Sequence, residues 1–240
     1  MVSAKLFSLA ALAGAAAAQE TLRFMPFGDS ITEIICWRAL LWEKLQSTEF
    51  ASVDWVGSGQ VDNNCGDGNY DRDHEGHSGF LAVDIANNNQ LAGWLQQNPA
   101  DVITMHLGTN DIMQQNKGPD EILGAFTTLV GNMRDSNPNM KIIVAQIIPA
   151  GFGNYNSVIE SLNSAIVPWA QGLNSTESPI YVVDQYSGLT SGDLRDGVHP
   201  NQSGDQKMAD VWYPAVITAL TAAQADKQAA AAKVEVPFTA

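Results

Sequence analysis

The chain has 240 residues, enough for one domain of ordinary size with a sizeable core. A hydrophobic fraction of 45% excludes intrinsic disorder. An excess of 26 acidic over 12 basic side chains, net −14, speaks against nucleic acid or an anionic membrane as a partner. Residues 1–18, "MVSAKLFSLAALAGAAAA", combine an early lysine, an apolar run from Leu6, and small residues at Ala16 and Ala18. That is the pattern of a secretory signal with an A-x-A type cleavage site, and the run is too short and alanine-rich to span a bilayer well. The mature protein is expected to begin near Gln19 and to be soluble and extracellular. It would act as a monomer with a net charge of −15, since only Lys5 leaves the charge count.

Short apolar runs then alternate with longer helical patterns. Strands are expected at Leu22–Phe27, Val53–Val56, Val102–Leu107, Lys141–Ile147 and Ile180–Val183. They are apolar or β-branched nearly throughout, as in strands buried on both faces. Helices are expected at Trp37–Gln46, Val83–Gln97, Asp120–Asp135, Asn156–Gly172 and Gly204–Ala223. The alternation predicts a three-layer α/β/α domain over residues 19–224, with a flavodoxin-like five-stranded parallel sheet. An alanine-rich tail, 225–240, extends the last helix and then frays. Residues 59–79, "GQVDNNCGDGNYDRDHEGHSG", read as a long polar loop, a length associated with function or disorder. The only two cysteines, Cys36 and Cys65, predict one disulfide in an oxidising compartment, tying this loop back. Asn174 and Asn201 match the N-glycosylation pattern.

Four stretches carry chemistry. Gly28-Asp29-Ser30 follows the first strand, Gly79 closes the polar loop, Gly108 to Asp111 ("GTND") follows the third strand, and Asp196 to Pro200 ("DGVHP") precedes the last helix. Open parallel sheets bind ligands beyond the carboxyl ends of their strands at the topological switch point, where Ser30 and Asn110 would converge. Asp196 and His199 are three apart, so one helical turn would set them side by side. Asp196 could then hold the imidazole while His199 takes the proton of Ser30. The N–H groups of Ser30 and Gly79 and the Asn110 amide would form an oxyanion hole. Each piece has a plainer reading. Ser30 could cap a helix, and Asn110 or Asp111 could cap or form an Asx-turn. All four in this order at strand ends are harder to obtain by chance.

With "FGDSI", "HSG", "GTND" and "DGVHP", the chain resembles the SGNH hydrolases, the GDSL-type esterases and lipases, over about residues 22 to 222. The resemblance implies the SGNH hydrolase fold, Ser30 as nucleophile, Gly79 and Asn110 at the oxyanion, and Asp196 and His199 completing a triad. "MPFGDSITE", "WRALLWEKL", "VDWVGSG", "DHEGHSGF" and "HLGTNDI" further resemble carbohydrate esterase family three, the acetyl xylan esterases. That implies release of acetate from acetylated xylan or a small ester, with no cofactor.

Other readings are weaker. A lipase or lysophospholipase is the nearest alternative, and a carbohydrate-binding protein that lost turnover is another. The G-x-S-x-G elbow of the α/β-hydrolases is absent. "HEGH" lacks the spacing of a zinc-protease helix, so no metal is expected and His74 and His77 should order the loop. Asp62, Asp67, Asp71, Asp73 and Glu75 could gather calcium, although a solvated acidic loop is the better reading. Of six tryptophans, most should be core. Trp37, close to Ser30, is the candidate sugar platform, and Arg38 could position substrate or pair with a loop acid. Asp29 and Asp111 read as supporting residues.

Overall fold

The computed structural model describes residues 21–66 and 68–234. The expected signal segment 1–18 and Asp67 therefore lie outside the described residues. The strands are β1 (Arg23–Gly28), β2 (Asp54–Trp55), β3 (Glu75–Gly76), β4 (Val102–His106), β5 (Lys141–Gln146) and β6 (Ile180–Asp184). All pairings are parallel, in the order β2-β1-β4-β5-β6, with β3 paired to β1. The five expected strands thus take the expected flavodoxin-like order. β3 is an addition. It pairs Phe27 with Glu75 and Gly28 with Gly76, just beyond the Arg23–Asp54 and Phe24–Trp55 pairs of β2. The polar loop therefore comes home onto the free edge of β1, next to the carboxyl end of that strand.

Alternation along each strand feeds two cores. Met25, Phe27, Ile103, Met105, Ile142 and Val144 point to one side; Phe24, Val102, Ile143 and Ala145 point to the other. The second side is covered by α2 (Trp37–Leu45) and α8 (Gln202–Val234). In α8, Met208, Trp212, Val216 and Leu220 recur every four residues and are fully buried, the stripe expected of a helix lying on a sheet. The first side is covered by α3 (Ala82–Asn87), α4 (Gln90–Gln97), α5 (Thr109–Gln115), α6 (Pro119–Ser136) and α7 (Asn156–Leu173). A four-residue helix, α1 (Ser30–Glu33), follows β1 directly.

Three boundaries differ from expectation. The predicted helix Val83–Gln97 is two helices, because Asn89 turns left-handed at φ 50°, a conformation asparagine tolerates well. α5 is a helix that the expected elements do not include. α8 runs past Ala223 to Val234, so the tail extends the last helix across the expected boundary at 224. Lys141 and Asp226 pair across that boundary and anchor the extension to β5. Among the described residues, no helix is long and apolar enough to cross a membrane.

Candidate active site

β1 ends in Gly28, where a side chain has no room. A Cβ there would lie 2.3 Å from Thr32 Oγ1 and 2.7 Å from the His106 carbonyl. The fully buried Asp29 caps α1, its Oδ1 accepting the Ile31 N–H at 2.9 Å. Asp29, not Ser30, thus does the capping that a serine in this position could have done, and the Ser30 hydroxyl is free for another partner. That partner is His199, whose Nε2 lies 2.8 Å from Ser30 Oγ. The backbone N–H of Ser30, at the first position of the helix, has no intrahelical acceptor.

Asp196 and His199 come together in a tight turn, not in the helical turn that their spacing suggested. Leu194 and Pro200 form an antiparallel bridge, and the Arg195 N–H donates to the His199 carbonyl at 2.9 Å. Gly197 closes the turn at φ +86°, a left-handed conformation that favours glycine. Asp196 Oδ1 accepts the N–H groups of Val198 and His199 at 3.0 and 2.8 Å, and Oδ2 lies 2.7 Å from His199 Nδ1. Burial pushes the Asp196 carboxyl up, but the His199 N–H and ring and the Val198 N–H outweigh it and hold it down at about 2. An ionised Asp196 can only accept, so Nδ1 carries the proton. Nε2 then presents its lone pair to the Ser30 hydroxyl.

The turn is moored by a residue the sequence reading missed. Asp193 accepts from Thr190 N–H and Oγ1, Ser203 Oγ and Lys207 Nζ. These bonds, Lys207 foremost, hold its carboxyl below the usual range. Asn201 accepts the N–H groups of Ser203 and Gly204 at the start of α8 and donates to the Gly192 carbonyl.

Opposite, four consecutive residues are each pinned. His77 N–H donates to Gly28 O at 3.0 Å. Ser78 N–H donates to Glu33 Oε2 at 2.7 Å, Gly79 O accepts from Gln114 Nε2 at 3.3 Å, and Phe80 O accepts from Asn110 Nδ2 at 3.0 Å. Gly79 adopts φ +81°. Gln114 also donates to Asn110 Oδ1 at 2.8 Å, so one turn of α5 fixes both the Asn110 amide and the Gly79 segment. Asn110 Nδ2 makes a longer contact of 3.3 Å to Asp29 Oδ2. Burial raises the Asp29 carboxyl to about 7. Asp111 supports α3 by accepting Ala82 and Val83 N–H at 2.9 and 3.0 Å. Both aspartates are supporting residues, as their neighbours suggested.

Trp37 and Arg38 are not substrate residues, contrary to expectation. Trp37 is fully buried, donates from Nε1 to Ile31 O at 2.7 Å, and packs on Trp212 with ring centroids 5.6 Å apart. Arg38 is also fully buried. It donates to carbonyls rather than to a loop acid: Thr32, Glu33, Val61 and Arg72, plus the Tyr70 hydroxyl. All five guanidinium N–H groups are thereby used, and the polar loop is bound to the helix that carries Ser30. The Cys36–Cys65 disulfide adds a covalent tie between the same regions.

The loop histidines order it. His74 Nδ1 accepts from Gly76 N–H, so Nε2–H donates to Val61 O. Burial, helped by the nearby Arg38 charge, lowers its pKa to about 3. His77 bonds Glu75 and stacks on Trp94 at 4.1 Å. The described acids of the run have separate partners: Asp62 meets Arg72 and Asn64, Asp71 takes Trp55 and Asp73 N–H, Asp73 takes Gln60, and Glu75 takes Ser58.

Residues 27–207 match the GDSL-like lipase/acylhydrolase family. A carbohydrate esterase family 3 protein of Talaromyces cellulolyticus is 43% identical, with a TM-score of 0.79 over 82% of this chain and 97% of that one. A serine-to-alanine mutant of an acetyl esterase, solved with an acetate ion, is also 43% identical, with a TM-score of 0.78 and the same coverage of 82% and 97%. A multidomain esterase of Ruminococcus flavefaciens is 30% identical over 235 residues, 87% of this chain but 30% of that protein, so the chain spans less than a third of it. On sequence and fold together, the chain belongs to the GDSL-like lipase/acylhydrolase family and is a carboxylic ester hydrolase.

Proposed function

We propose that the chain is a secreted acetyl esterase acting on acetylated polysaccharide such as xylan through a Ser30–His199–Asp196 triad. The observation that carries this reading is the unbroken chain of contacts from Ser30 Oγ to His199 Nε2 (2.8 Å) and from His199 Nδ1 to Asp196 Oδ2 (2.7 Å). Ser30 Oγ attacks the ester carbonyl while Nε2 takes its proton, and Asp196 stabilises the imidazolium. The tetrahedral oxyanion is received by the N–H groups of Ser30 and Gly79 and by Asn110 Nδ2, which gives up its longer contact to Asp29. His199 returns the proton to the departing sugar hydroxyl, leaving an acetyl-enzyme. Water, activated by the same imidazole, then releases acetate.

The similarity to family 3 carbohydrate esterases supports acetyl as the acyl group. The Cys36–Cys65 disulfide suits export to an oxidising compartment, as the leader-like residues 1–18 would direct. The test is acetate release from acetylated xylan beside hydrolysis of p-nitrophenyl acetate and octanoate. Rapid octanoate hydrolysis with no acetate from xylan would move the assignment to a lipase.

A further inference from the structure

With Trp37 buried, the site as described lacks a surface for the sugar that carries the acetyl group. Among the described residues, three large apolar side chains are exposed: Val61, Phe80 and Phe152. The two phenylalanines each adjoin a loop of the active site. Phe80 follows Gly79, but its ring is stacked against His77 at 5.0 Å and 25°. Phe152 is the more open, with 50% of its surface exposed.

The position of Phe152 is built. It lies between β5 and α7 in Gly151-Phe152-Gly153. Gly151 N–H donates to the Gly197 carbonyl at 2.8 Å, and Gly153 turns the chain at φ +69°. The ring rests on Gly197, where a Cβ would come within 2.4 Å of Phe152 Cδ1. Tyr155 meets it edge-on, with centroids 6.1 Å apart and planes at 84°. One side of the ring is therefore backed by the turn that carries Asp196 and His199, while the rest faces solvent.

We infer that Phe152 is the sugar platform of this esterase, stacking a neutral pyranose ring of the acetylated chain while the acetyl carbonyl reaches Ser30. This rests on the polysaccharide reading above. A pyranose presents a face of C–H groups whose positive edges suit the negative face of an aromatic ring, and an uncharged ring suits an uncharged sugar. The adjoining turn couples sugar position to the catalytic histidine two residues from Gly197.

The test compares wild type with Phe152→Ala, Phe152→Leu and Phe152→Trp on an acetylated xylo-oligosaccharide, ethyl acetate and ethyl octanoate, with thermal midpoints recorded. The ratio of kcat/KM for the oligosaccharide to that for ethyl acetate should fall roughly tenfold in the alanine variant, chiefly through KM, the scale of an aromatic contact. Phe152→Leu, which keeps apolar bulk without a π-face, should lose selectivity too, and Phe152→Trp should regain it. Equal losses on both acetates, carried in kcat, would make the ring a prop for the His199 turn and overturn the platform. A loss confined to octanoate would make it an acyl-chain contact, and an unchanged ratio would also overturn it. Wild-type turnover of ethyl acetate with none of the oligosaccharide would refute the polysaccharide reading itself and the platform with it.

Discussion

Ser30 and His199 depend on each other more than on their surroundings. In the proposed mechanism the serine is a weak nucleophile until Nε2 takes its proton, and the imidazole presents Nε2 because Asp196 holds Nδ1–H. Ser30→Ala and His199→Ala should therefore each lower kcat by about 10³-fold or more while the protein stays folded. Near wild-type turnover in purified Ser30→Ala would end the triad assignment. In the proposed mechanism Asn110 acts on a charge that exists only in the transition state. Asn110→Ala should cost about 10²-fold in kcat with little change in KM. A raised KM at constant kcat would instead make Asn110 a substrate-binding residue. The residues proposed for this chemistry were legible because their types are few and they stand in short motifs, two directly after β1 and β4 and one just before α8. Trp37 was misread because its burial depends on Trp212, which lies far off in sequence on α8 and meets it only in the folded molecule.

At the scale of elements, the site hangs on pieces that hydrophobic patterning cannot reveal. β3 consists of Glu75 and Gly76, a charged residue and a glycine, yet both are buried on the edge of β1. α5, "TNDIMQQ", has too few apolar residues to show a helical period, yet its Asn110, Asp111 and Gln114 hold the Gly79 segment and α3. Arg38 joins α1 to the polar loop through acceptors around residues 32–33, 61 and 70–72, a convergence that spacing alone does not display. Arg38→Met should thus leave three carbonyls and a hydroxyl without donors, while Val61 O keeps the bond from His74. At 1–3 kcal/mol for each acceptor that water cannot reach, offset by relief of a buried charge, a net loss of about 3 kcal/mol is expected. Arg38→Lys, with three donors for five acceptors, should fall between. Urea unfolding should show the midpoint dropping at constant slope. Wild-type stability in Arg38→Met would mean that the disulfide and β3 hold the loop unaided.

Over the whole molecule, buried acids and buried histidines pull stability in opposite directions with pH. Burial raises Asp29 and Asp205 to about 7. Between the unfolded carboxyl value near 4 and that point, the folded state keeps protons that the unfolded state has lost, so these two groups make stability fall as pH rises. Burial lowers His74 to about 3 and His106 to about 4. Between those values and the unfolded histidine value near 6.5, the unfolded state binds the extra protons, so these two make stability rise with pH. Two against two, the slopes nearly cancel from about pH 4.5 to 6.5. Burial also raises Asp71 and Asp111, which adds to the acid side. Below it, the histidine loss continues while the unfolded chain protonates Asp196 and Asp193, both of which the fold holds ionised, so stability should drop steeply. The cancellation can be exposed by removing one member. Asp205 accepts the Cys36 N–H at 3.1 Å, and Asp205→Asn keeps an acceptor oxygen while deleting the titration. The wild type should melt at nearly the same temperature at pH 4.5 and 6.5. The variant should melt at a higher temperature at pH 6.5, its stability rising by at most about 1.4 kcal/mol per pH unit. A flat profile in Asp205→Asn, measured by calorimetry at matched ionic strength, would show that Asp205 is ionised in the folded protein throughout this range.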